Sequence, residues 1–135
     1  MFENKFAVIV RDDMAVWRKL NVAAFLATGI GAGSPEAMGE PYVDAAGRAH
    51  APLFGQPVLI FAGDRAQLRA THRTAWEKGL RVAAYVGAMF GTGYDTANRA
   101  VFAAEPADDL DLVGLALFGP KKAVDKAVKG LALHG

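Results

Sequence analysis

The chain has 135 residues, 53% hydrophobic and 21% charged, which suits one compact domain over residues 1–135 and is too apolar for intrinsic disorder. Fifteen Lys and Arg against 14 Asp and Glu leave a formal charge of +1, so no whole-protein field draws nucleic acid or anionic membrane, and neither is expected as a partner. Cysteine is absent, which excludes disulfides, thiolate nucleophiles and cysteine metal ligands; His50, His72 and His134 stand at unrelated spacings, so no metal centre and no cofactor are expected.

The opening MFENKFAVIV carries Glu3 and only a short apolar run before Arg11, unlike a signal peptide or a membrane span, and a cytoplasmic location is expected. Residues 6–10 are apolar without polar alternation, the pattern of a strand covered on both faces. Asp13 is placed to cap the following helix, in which Val16, Leu20, Ala23, Ala27 and Ile30 recur at helical spacing until Gly29, Gly31 and Gly33 end it. Arg18, Asn21, Phe25 and Thr28 fall on the other side.

Residues 34–57 hold Pro35, Pro41, Pro52 and Pro57 and a turn signal at 44–47, the profile of a lid, a binding loop or a small hairpin. Residues 58–61 read as a second buried strand, and Asp64 caps a helix to Lys78 with Gly79 beyond its end. Residues 81–86 form a third strand. A glycine-rich loop at 89–95 leads into a short helix through Asn98 to Ala104, residues 110–118 form a fourth strand, and Pro120 sits at the first position of a last helix. That helix buries Val124, Val128 and Leu131. Unalternated strands separated by amphipathic helices predict a three-layer α/β/α sandwich.

The stretches KFAVIVRDDMAVWRKLNVAAF, LFGQPVLIFA, MFGTGYDTANRA and LDLVGLALFGPKKAVDKAVKGLALH together resemble the bacterial domain-of-unknown-function family 2000 over nearly the whole chain. That family is similar in fold to the peptidyl-tRNA hydrolase II proteins, which begin with a strand, Arg-x-Asp and a helix bearing Gly-Lys-x-Ala-Ala-Gln, and end with a strand, Gly-Pro and a helix. The resemblance implies a four-stranded mixed sheet in the order 2-1-4-3 with the last strand antiparallel. Arg11 and Asp13 match the Arg-x-Asp, and Ala23 and Ala24 match the Ala-Ala if one residue is inserted. The family lysine then falls on Asn21 and its glutamine on Phe25, while Asp95 corresponds to the aspartate after the third strand. Asn21 supplies neither the charge nor the proton of that lysine, so the resemblance implies the fold without the hydrolase site.

Two constellations could carry chemistry. Arg11, Asp12, Asp13, Lys19 and Asn21 lie where the first strand exits, the edge at which open α/β sheets bind ligands, and could hold an anion; the alternative is a helix cap with solvated neighbours. Thr92, Tyr94, Asp95, Asn98 and Arg99 offer donors and a carboxylate beside Gly91 and Gly93; the alternative is a glycine turn in which Asp95 caps a helix and pairs with Arg99. The two should face each other across one pocket, with residues 50–56 arching over it. Asp13 and Asp95 are the candidate catalytic groups. Arg65, Arg69 and Arg73 read as a solvated stripe, and Ser34, before a proline, does not qualify as a nucleophile.

Three functions are compatible with this pattern: a binding or regulatory module for a small anionic or nucleotide-like ligand, a hydrolase acting on peptidyl-tRNA or another ester through Asp-activated water, and an interaction protein. Trp17, Phe25 and Phe54, without an evident place in the core, suggest a homodimer.

Overall fold

The computed structural model describes residues 2–135. Strand β1 (Asn4–Arg11) leads to helix α1 (Val16–Gly33), then a hairpin β2 (Tyr42–Val43) and β3 (Ala49–His50), β4 (Val58–Gly63), α2 (Arg65–Glu77), β5 (Arg81–Val86), α3 (Asp95–Ala103), β6 (Leu112–Pro120), α4 (Lys121–Ala127) and β7 (Ala132–Leu133). The main sheet has five strands in the order β5-β6-β1-β4-β7. β1 and β4 are parallel, while β6 is antiparallel to both β1 and β5. The C-terminal ends of β1, β4 and β5 therefore share one end of the sheet with the start of β6.

The apolar run at 6–10 lies in the middle strand with every residue buried. Alternate side chains feed two cores. Phe6, Val8 and Val10 pack with Val22, Leu26 and Ile30 of α1; Ala7 and Ile9 pack with Leu68 and Ala75 of α2 and Val124 of α4. Helices thus cover both faces, in three layers.

The four-stranded sheet expected above is corrected to five strands. β7 pairs antiparallel with β4 at Phe61 and Ala62, and the His134 amide donates to the Ile60 carbonyl at 2.9 Å. The last helix accordingly stops at Ala127 rather than running past Leu131, and Gly130, at φ 90°, turns the chain back to the sheet. Pro120 is the residue before that helix, not its first.

Three further expectations change. The residue before α1 is Ala15 and no side chain caps that helix; the Asp13 carboxylate is taken by Arg11 instead. α1 buries Val22, Leu26 and Ile30, whereas Val16 and Leu20 are 70% and 67% exposed, because the helix closes on Gly114 of β6 through Val22 and Leu26. The proline-rich segment packs at the opposite end of the sheet from Arg11. Phe54 stacks edge-on against Phe6 and Phe118 at centroid distances of 4.7 and 5.5 Å, and Gln56 donates to the Asn4 carbonyl at 2.9 Å. It is therefore no lid for the β1 exit, and Phe54, partly buried, packs against the core beside Phe6 and Phe118. α2 follows its sequence signals: Asp64 and Gln67 form a reciprocal capping box, and Gly79 takes φ 68° beyond the helix end.

Candidate functional site

Arg11, the last residue of β1, is the centre of a charged ladder at the strand exits. Its Nε donates to Asp13 at 2.8 Å and its Nη1 to Asp111 at 2.9 Å. Asp111 lies 3.6 Å from Arg65, which is also 3.6 Å from Asp109, and Asp109 accepts from Arg69. Burial works against the Arg11 charge, but the hydrogen bonds to Asp13 and Asp111 outweigh it and raise its pKa above the ordinary value. The Arg11 hydrogen bond in turn holds the Asp13 carboxyl below its usual range, which makes Asp13 a poor base. Asp12 is exposed, its amide donating to the Gly63 carbonyl at 2.9 Å. Lys19 points to the far edge of the sheet, 3.2 Å from His134, and Asn21 is half-buried on α1.

The loop after β5 is a 3-10 turn, Gly87–Gly91, followed by α3. Neither Gly91 nor Gly93 takes a positive φ, and a methyl group on either would meet open space, so both glycines face room rather than a tight turn. Thr92 donates to the Met89 carbonyl at 3.0 Å and its hydroxyl also contacts the Asn98 side chain, while Arg99 pairs with Asp95 one turn earlier. Tyr94 precedes α3 and is exposed, with no side-chain cap on that helix, so Asp95 is a first-turn acid rather than the cap. Asp95, Asn98 and Arg99 line a cavity of about 290 Å³ with Phe25 and Leu26 of α1 and Tyr85 of β5.

On the other face of β5 lies a larger open groove of about 720 Å³ between α2 and α3. Its floor is apolar: Val82, Ala84, Phe102 and Leu110. Arg69, His72, Arg73 and Trp76, one face of α2, form the wall, and Glu77, Glu105 and Asp108 also line the groove. Trp76 is 71% exposed and stacks on His72 with their planes 18° apart. Burial lowers the His72 pKa, which favours the neutral ring. Arg69 Nε is buried with no hydrogen-bond partner among the described residues. Ala84 and Phe102 line both cavities, so the groove and the smaller cavity adjoin along a trough at the outer edge of β5.

The profile of a family described as proteins of unknown function, DUF2000, matches residues 4–135. The chain belongs to that family. A solved structure of a protein of unknown function from Agrobacterium tumefaciens strain C58 is 47% identical, superposes with a TM-score of 0.95, and each chain covers 100% of the other. Among curated proteins none matches.

In this DUF2000 chain the residues singled out from sequence fall into separate groups. Arg11 and Asp13 are together, as are Thr92 with Asn98 and Asp95 with Arg99, but neither cavity takes in Arg11, Asp12 or Asp13. Lys19 lies with neither group. Asp111, Asp109 and Arg65 were missed, although an antiparallel last strand has to begin where the first one ends, and the acidic run at 108–111 stands at that start. The stripe Arg65, Arg69, Arg73 is no free solvated face: Arg65 and Arg69 are engaged in the ladder, and Arg69 and Arg73 line the groove. Only the position of α3 opposite α2 reveals this. No helix among the described residues is long and apolar enough to cross a membrane.

Proposed function

We propose that this protein is a small-ligand-binding module whose ligand is a planar anion, such as a nucleotide or an aromatic acid, held in the trough between α2, β5 and α3. The observation that carries this reading is the groove of about 720 Å³, which combines an apolar floor, the flat His72 and Trp76 pair, and two guanidinium groups of α2 in a lining that also holds Glu77, Glu105 and Asp108. Such a site buries a ring by the hydrophobic effect and orients it through a few polar groups. Arg73, which joins no ion pair among the described residues, meets the anionic group, with Arg69 beside it in the lining. Asp95, Asn98 and Arg99 serve the smaller cavity, where a polar extension of the ligand would emerge past Phe102. Arg11, Asp13 and Asp111 act from behind by anchoring the ladder that ends on Arg69.

The reading favours binding over hydrolysis because Asp13 is kept ionised by Arg11 and Asp95 is tied to Arg99. It expects no turnover of peptidyl-tRNA, since Asn21 stands where the resemblance places the lysine. An NMR titration with adenosine 5′-monophosphate and naphthalene-2-sulfonate, each against its uncharged counterpart, tests the proposal. The expected result is chemical-shift changes confined to α2, β5 and α3, with the charged form bound at least about tenfold more tightly and that advantage lost in Arg73→Gln. Shift changes elsewhere, or no anion preference, would overturn it.

A further inference from the structure

The groove between α2 and α3 carries charges of both signs, and they are not matched to one another. Arg69 and Arg73 stand on α2, while Glu77, Glu105 and Asp108 bring three carboxylates to the same lining. Arg69 is already engaged, because Asp109 accepts from it. None of the three carboxylates joins an ion pair among the described residues, and neither does Arg73. A ligand whose only charge is negative would satisfy Arg73 and leave the carboxylates without a cation.

The carboxylates stand at different places along the groove. Glu77 follows Arg73 by one turn of α2, beyond Trp76, and is exposed. Glu105 and Asp108 belong to the segment between α3 and β6, which the Arg69 and Asp109 pair fixes against the first half of α2. Glu105 is half-buried, and its Oε1 accepts from the Asp111 amide at 2.7 Å, so the carboxylate is held in place while Oε2 meets no donor among the described residues. A carboxylate drawn partly out of water without a cation costs free energy, and an ammonium group entering the groove offsets that cost through a charge-assisted hydrogen bond. Arg73 lies one turn beyond Arg69, between this acidic end and Trp76. Along α2 the groove therefore offers carboxylates, then a guanidinium, then the flat His72 and Trp76 pair, all over an apolar floor.

From this order we infer that the groove takes a zwitterion, an aromatic amino acid, with its ammonium at Glu105 and Asp108, its carboxylate on Arg73 and its ring against His72 and Trp76. The inference rests on the planar-anion reading above and adds a second, positive charge to the ligand.

Three indoles separate the charges: L-tryptophan carries both, indole-3-propionate only the carboxylate, and tryptamine only the ammonium. In NMR titrations L-tryptophan should shift resonances of α2, β5 and the 105–110 segment and bind at least about tenfold more tightly than either of the others. Glu105→Gln keeps an acceptor for the Asp111 amide, and Asp108 is exposed, so the double variant Glu105→Gln, Asp108→Asn should retain the far-UV circular dichroism of the unmodified chain. It should bind L-tryptophan no more tightly than indole-3-propionate. Equal affinity of L-tryptophan and indole-3-propionate for the unmodified chain, or a double variant that keeps the full preference, would overturn the inference. So would failure of L-tryptophan to bind where naphthalene-2-sulfonate binds in the trough, with the planar-anion reading left standing. If neither compound binds there, that reading falls as well.

Discussion

Asp13 and Asp111 both accept a hydrogen bond from Arg11, but they are not equivalent. Asp13 is exposed on a turn, so its pair is screened, and Asp13→Ala should change the free energy of urea unfolding by no more than about 0.5 kcal/mol. Asp111 is less exposed, lies between Arg11 and Arg65, and its amide donates to Glu105 at 2.7 Å while its carbonyl accepts from Gly87 at 3.1 Å. Asp111→Asn removes the compensating charge from an Arg11 that is only 19% exposed, and should cost about 1 to 2 kcal/mol in the same measurement. His72 sets a pH dependence. Burial lowers its pKa, so the unfolded chain, whose histidine titrates near ~6.5, binds the proton more readily than the folded one. The stability is complete above that value and declines as the pH falls through and below it. Thermal melts between pH 7.5 and pH 5 should therefore show a steeper loss for the unmodified chain than for His72→Gln.

At the scale of elements, the distance between α1 and the sheet is set by one missing side chain. A Cβ on Gly114 of β6 would stand 2.3 Å from Val22 Cγ1 and 3.0 Å from Leu26 Cδ1, both fully packed. Gly114→Ala must push α1 outward, at a cost of about 1 to 3 kcal/mol. Because Phe25 and Leu26 also line the smaller cavity of the trough, the same shift enlarges that cavity. The variant should melt at a lower temperature and show altered NMR shifts at Phe25, Tyr85 and Asn98, with α2 unaffected.

For the molecule as a whole, the two sheet edges are treated differently. β5 is flanked by the trough, whereas the apolar β4 is covered by the two residues of β7. Removing residues 131–135 would uncover the backbone of Val58–Gly63, an edge with no charge or proline to block pairing with another chain. The truncated protein should unfold at a lower temperature and scatter light increasingly with concentration, while the full chain does not. Scattering equal to that of the full chain would show that β7 does not guard the edge.

The sequence by itself determined what depends on near neighbours. An apolar run with no alternation at 6–10 can sit only where both faces are covered, and it is the central strand; Asp64, Gln67 and Gly79 mark the ends of α2 because capping needs partners three or four residues away. The i,i+4 pair of Asp95 and Arg99 is legible for the same reason. Tertiary structure alone decided the rest. Val16 and Leu20 have the spacing of a core face, yet Gly114, far along the chain, draws in Val22 and Leu26 instead. β7 is too short for any periodicity and exists because the β4 edge needs hydrogen bonds. Arg11 finds Asp111 a hundred positions away, and Arg69, His72, Arg73 and Trp76 become the wall of a groove only because α3 stands opposite them. Caps and periods are local energies written in adjacent residues, whereas register, close approach and cavities arise from pairings between distant segments that no local window contains.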